Sequence, residues 1–191
     1  MGENYRKSDF KLGALHGKVS PTKVASEAAI QRKLFLSQSI KIVRSSLESR
    51  NTCIRLIAYE MPLGYHRDLC VDLVGYDADH NLYLIELKAG TSSEKLPQVM
   101  DQIGKYACIV KEIKGYIEKD FEKTFYFPLK IKDIKKVILA PRKFYDKKTT
   151  DYSNSNVEHL VFSDKDIDKD DLKRALKPLV RVHIHKRKVK K

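Results

Sequence analysis

Asp72 and Glu86 stand on either side of a turn-forming stretch, Asp77-Ala78-Asp79-His80-Asn81, and Lys88 follows two positions after Glu86. If that stretch is the loop of a β-hairpin, Tyr76 falls opposite Leu82, Val74 opposite Leu84 and Asp72 opposite Glu86. The last pair would set its Cβ atoms about 5 Å apart. Strand side chains alternate, so Glu86 and Lys88 share one face, and Asp68 and Asp72 share the matching face of the neighbouring strand. The run Leu82-Tyr83-Leu84-Ile85 ahead of Glu86 is apolar on both faces, the pattern of a strand covered from both sides. Two carboxylates opposed in such a place repel each other and hold a proton, unless a divalent cation neutralises both. A hard cation suits them: Mg²⁺, with Mn²⁺ as a substitute, takes carboxylates together with waters and a substrate phosphate. Lys88 then stands where an attacking water or a developing negative charge needs a cation. The chemistry this pattern suits is metal-assisted hydrolysis of a phosphodiester.

Those residues need a sheet and something to cover it. Ser20-Pro21 reads as an N-cap followed by proline at the first helical position, opening a helix through Ile30 and Leu34 to about Val43. Three β-type runs follow, Cys53 to Met61, Asp68 to Tyr76 and Leu82 to Lys88, the last two forming the hairpin. From Pro97 the apolar residues Val99, Ile103, Tyr106, Val110, Ile113, Ile117 and Phe121 recur at three- and four-residue steps, predicting one long helix that ends at Phe127-Pro128. Lys136 to Pro141 and Val157 to Phe162 read as strands, Asp166 to Leu176 as a short helix, and Leu179 to His185 as an edge strand. This order predicts an α/β fold with a mixed central sheet flanked by helices. Without a linker or internal repeat, the chain reads as an N-terminal arm (1–19), one domain (20–180) and a basic C-terminal tail (181–191).

Composition narrows the classes. The 191 residues carry 38 Lys+Arg against 25 Asp+Glu, a formal net charge of +13, with 42% hydrophobic residues. A chain of this length hides roughly 70% of its extended surface on folding, enough for an ordinary core. Disordered, collagen-like and membrane-embedded classes are excluded by composition. Cys53, Cys70 and Cys108 are odd in number and scattered through apolar runs, which fits a reducing compartment rather than a disulfide framework or zinc site. No run approaches the roughly 18 apolar residues of a membrane span, so a cytoplasmic protein is expected. The positive excess favours a polyanionic partner such as nucleic acid, although Arg181, Lys186, Arg187, Lys188, Lys190 and Lys191 place six of those charges in the tail.

Asp72, with Glu86 fourteen positions on in Ile85-Glu86-Leu87-Lys88, resembles the core of the PD-(D/E)XK, or restriction-endonuclease-like, nuclease superfamily, which carries an acid on its second strand and E-x-K on its third. Glu27, with Gln31 one turn later, is similar to the acid that the family often supplies from a helix ahead of the sheet. Gln102-Ile-Gly-Lys-Tyr106 matches the Q-x-x-x-Y of members related to the exonuclease domain of bacterial recombination helicases. The position before Asp72 is Val71, where the name-giving pattern has proline. The resemblance spans about Ser20 to Phe162. It implies a restriction-endonuclease-like fold and a Mg²⁺-dependent deoxyribonuclease. Asp72, Glu86, Glu27 and the carbonyl of Leu87 would be metal ligands, Lys88 would position or activate water, and Gln102 and Tyr106 would line the site. Any strict sequence specificity would have to come from loops, from a homodimer or from another partner.

Each signal has a plainer reading beside it. Asp72, Glu86 and Lys88 also suit a cross-strand ion-pair network, Glu27 a first-turn acid on the helix dipole with Glu60 as its rival, and Gln102 and Tyr106 the boundary of an amphipathic helix. Gly90 to Lys95 lacks the ending of a nucleotide-binding phosphate loop, and the six histidines show no metal-ligand spacing. Two other functions stay open: a nucleic-acid-binding module or complex subunit that keeps the fold without catalysis, and the same chemistry on RNA.

Overall fold

The computed structural model describes residues 26–43, 52–64, 69–146, 156–162 and 180–184. The expected arm, the helix start at Ser20-Pro21, the helix Asp166 to Leu176, Asp68 and the end of the tail lie outside them. The described chain is α/β: seven strands, β1 (Ser39–Val43), β2 (Thr52–Pro62), β3 (Cys70–Tyr76), β4 (Asn81–Leu87), β5 (Asp133–Pro141), β6 (Val157–Phe162) and β7 (Val180–Ile184), form one mixed sheet. Four helices accompany them: α1 (Glu27–Leu36), α2 (Leu96–Glu112), α3 (Lys114–Phe125) and α4 (Arg142–Asp146).

The strands are ordered as in the sequence, and the sheet curls until β7 pairs with β1. β1 to β4 are joined antiparallel, β4, β5 and β6 run parallel, and β6 and β7 are antiparallel. A parallel neighbour needs a crossover, and α2 and α3 provide it between β4 and β5. The hairpin has the expected register, Tyr76 opposite Leu82 and Val74 opposite Leu84. Its turn is tied by Asp77, whose Oδ1 accepts from the N–H groups of Asp79 and Asn81 at 2.9 Å each.

Alternation along the strands makes two cores. Val74, Leu82 and Leu84 face Val99, Ile103 and Val110 of α2, whereas Leu73, Ile85 and Leu87 face Ile30 and Leu34 of α1. Among the described residues no helix is long and apolar enough to cross a membrane.

Three expected elements differ. The first helix stops at Leu36 rather than near Val43; Gln38, at φ 62°, turns the chain, and Ile40 and Ile42 are buried in β1. The long helix is two, parted at Ile113, which is buried and keeps the apolar period while its backbone leaves the helical region. The last strand is not an edge: β7 is hydrogen-bonded to β6 on one side and β1 on the other.

Candidate active site

The site forms where β3 and β4 part. Their ladder runs as far as Leu73 opposite Ile85, and beyond it the Asp72 carboxylate takes over: Oδ2 accepts from the Leu87 N–H at 2.7 Å. β4 meanwhile remains tied to β5 through Glu86 opposite Ile138 and through the Lys88 N–H donating to the Leu139 carbonyl at 3.0 Å. Asp72 thereby fixes the backbone of Leu87, whose side chain packs in the α1-facing core.

Glu86 and Lys88 are only 2% and 4% exposed, so their charges must find partners within the protein. The Lys88 ammonium lies 2.9 Å from Glu86 Oε1, 3.0 Å from Glu94 Oε2 and 3.6 Å from Glu27 Oε1. Glu27 reaches this place from the first turn of α1, where Ser26 caps the helix, and its Oε2 also accepts from the Ala89 N–H at 3.2 Å. It is Glu27, not its rival Glu60 on the exposed side of β2, that joins the cluster.

Gln31, one turn along α1 and buried, donates from Nε2 to the Asp72 carbonyl at 2.7 Å and to its Oδ1 at 3.4 Å. From α2, Gln102 Nε2 donates to the Tyr106 hydroxyl at 2.8 Å. Burial raises the pKa of that phenol, and the Glu86 and Asp72 carboxylates push the same way, so the Gln102–Tyr106 pair lies within electrostatic reach of the acids.

All seven expected residues, Glu27, Asp72, Glu86, Leu87, Lys88, Gln102 and Tyr106, therefore surround one place. Gln31 and Glu94 are additions to the site. Gln31 carried a sequence signal, its position one turn after Glu27; Glu94 had none beyond its place in the loop before α2.

The electrostatics are lopsided, with four carboxylates around one ammonium. Burial drives the Asp72 carboxyl up to about 8, and the charge of Glu86 adds to it, against the opposing pull of the Leu87 N–H and Lys88. Burial likewise raises Glu86, with Lys88 pulling it back. For Lys88, burial works to lower the pKa, but Glu86, Glu94 and Glu27 outweigh it and hold the ammonium above the ordinary lysine value.

Whether these groups suit a metal turns on the donors left over. Glu86 Oε2 is buried and accepts no hydrogen bond, and a buried oxygen of this kind calls for a cation or a donor. Among the described residues no three carboxylates, imidazoles or thiolates converge as a metal cluster. Mg²⁺ does not need three, since one or two carboxylates completed by waters and substrate oxygens are its usual protein set. Asp72 and Glu86 fit that description, with Glu27 nearby but engaged with Lys88 and Ala89.

Compared with models of protein families, with curated proteins and with solved structures, the chain matches none of them.

Proposed function

We propose that this chain is a metal-dependent nuclease of the restriction-endonuclease-like fold that hydrolyses phosphodiester bonds of DNA. One observation carries the reading: Glu86 Oε2 is buried without a partner at the point where Asp72 closes the β3–β4 hairpin and Lys88 stands 2.9 Å from the other Glu86 oxygen. Asp72 and Glu86 would hold Mg²⁺ or Mn²⁺, with the Leu87 carbonyl as a further oxygen. The ion supplies a Lewis acid for the phosphoryl oxygens and for the attacking water.

The chain's own residues do the rest. Lys88, kept charged by its acids, stabilises the negative charge that grows on the phosphoryl group. Gln31 fixes Asp72 through its carbonyl and Oδ1, so the carboxylate is aimed before substrate arrives. The Gln102–Tyr106 pair lines the α2 side and orients the substrate backbone. Glu94, half-exposed on its loop, is the partner of Lys88 that an incoming phosphate can displace.

The test is cleavage of linear, circular, branched and single-stranded DNA, and of RNA, by the purified chain with Mg²⁺ or Mn²⁺. Metal-dependent cutting of DNA by the parent is expected, with Asp72→Ala and Lys88→Ala losing at least a hundredfold in rate. Cutting by both variants at the parent's rate overturns the assignment, and cutting of RNA alone changes the substrate.

The closed set of ion pairs around Lys88 favours a second reading, a nucleic-acid-binding module whose acids and lysine only satisfy one another. Such a module binds DNA equally well with chelator and turns nothing over.

A further inference from the structure

At the opposite end of β3 from Asp72 is a concavity. It has a volume of about 600 Å³, and its walls include Phe35, Tyr76, Phe121, Phe125, Phe127 and Arg55. Tyr76 and Asp72 share a face of β3 and are four residues apart, about 13 Å at the usual strand rise. A volume of this size falls in the roughly 300–1,000 Å³ range of ligand-holding clefts.

The walls are rings fixed from below. Phe121 is a core residue, and its ring centroid lies 5.3 Å from that of Tyr76 and 4.7 Å from that of Phe125. α3 then ends in Tyr126, whose left-handed backbone (φ 54°) reverses the chain so that Phe127 also lines the cleft. Phe125 and Phe127 remain 38% and 50% exposed, an unusual amount of aromatic surface left to water beside a preformed hollow.

Cations stand in and near the cleft, with exposed Asp79 and Asp133 at the same hairpin end. Arg55 is exposed on the β2 wall, and Lys130 and Lys132 are exposed just past Phe127. The Lys132 N–H donates to the His80 carbonyl at 2.9 Å, which anchors those lysines at the hairpin turn, the same end of the sheet as Tyr76. Aromatic walls with an exposed guanidinium among them, in a chain of net charge +13, match a ligand that is a flat ring attached to a phosphate chain. Stacked bases on aromatic side chains with a basic track are the general solution for unpaired strands. A purely apolar occupant would leave Arg55 without a counterpart.

We infer that this cleft takes an unpaired base of a single-stranded nucleic acid. The choice of a nucleic acid strand rests on the nuclease reading, but stacking in the cleft needs neither metal nor cleavage. Substrates with an unpaired segment close to the scissile phosphate would be held at both ends of β3.

The test is fluorescence anisotropy at fixed salt in EDTA, comparing an oligothymidylate with an abasic strand of the same length and charge. The parent is expected to prefer the thymidylate strand. Phe127→Ala should weaken thymidylate binding by roughly fivefold to a hundredfold and leave the abasic strand unchanged. Phe127→Trp should keep the preference, and so should Tyr116→Ala, which removes an exposed ring that does not line the cleft. Equal affinity for the two strands, or a Phe127→Ala variant that binds thymidylate as the parent does, overturns the inference and leaves the cleft to an apolar protein segment. Failure here leaves Asp72-dependent cleavage standing, while failure of the nuclease reading leaves metal-free base binding intact.

Discussion

Asp72→Asn is expected to stabilise the metal-free protein while abolishing its metal response. Burial and the charge of Glu86 raise the Asp72 carboxyl from 3.8 to about 8. The folded chain therefore holds a proton where the unfolded chain has lost it. The group's contribution to stability is complete below the unfolded value near 4, declines as pH rises, and levels off above the folded value near 8. At about 1.36 kcal/mol per unit of pH, the decline reaches about 4 kcal/mol by pH 7. Asparagine carries no charge to desolvate and keeps an oxygen for the Leu87 N–H, but its amide hydrogens need acceptors of their own. About half the cost, on the order of 2 kcal/mol, should be recovered, which for a domain of this size is a rise of roughly 4–8 °C in Tm. The assay is thermal unfolding of parent and variant in EDTA from pH 4 to 9, repeated at pH 7 with Mg²⁺. The same unmet amide hydrogens should leave the variant about 2 kcal/mol behind the parent at pH 4; it should draw level between about pH 5 and 6, lead at pH 7 and flatten near 8. Mg²⁺ should raise the Tm of the parent by binding the folded state and leave the variant unmoved. A stability difference independent of pH, a variant still behind the parent at pH 7 in EDTA, or an equal Mg²⁺ response in both proteins would refute the reasoning.

Two further outcomes follow from the geometry. Glu94→Gln removes the half-exposed partner of Lys88 while Glu86 and Glu27 remain to hold its charge and the amide oxygen can still accept from the ammonium; Tm should fall by no more than about 4 °C, a loss of about 1 kcal/mol or less, and cleavage kinetics should show the rate kept within about threefold. Gly75→Ala would place a methyl group 2.5 Å from Ile54 Cγ2 and 2.7 Å from the Arg55 carbonyl oxygen. The backbone oxygen cannot swing aside, so calorimetry should show a loss of about 1–3 kcal/mol, with the metal dependence of cleavage unchanged.

The hairpin was legible because its determinants are local. A polar turn of five residues between two apolar runs leaves one register that keeps Val74, Leu82 and Leu84 inside, and that register aims Asp72 and Glu86 at the same place. The end of α1 was not legible: Leu36, Ile40 and Val43 continue a helical period, and neither Gly nor Pro marks the turn at Gln38. The break at Ile113 was hidden in the same way, by a buried residue in phase with both helices.

Residue types, turn chemistry and short-range periodicity thus determined the α/β class, the site hairpin and the grouping of Asp72, Glu86 and Lys88, while Glu27, Leu87, Gln102 and Tyr106 came with the resemblance to the nuclease superfamily. Tertiary structure alone decided that β7 closes the sheet against β1, that Gln31 orients Asp72, that Glu94 completes the cluster around Lys88, and that five aromatic rings line a cleft at the far end of β3. The physical reason is range. Alternation and turn chemistry act between residues a few positions apart, whereas strand closure, burial of a carboxylate and the meeting of rings from α1, β3 and α3 depend on segments that touch only once the whole core has packed.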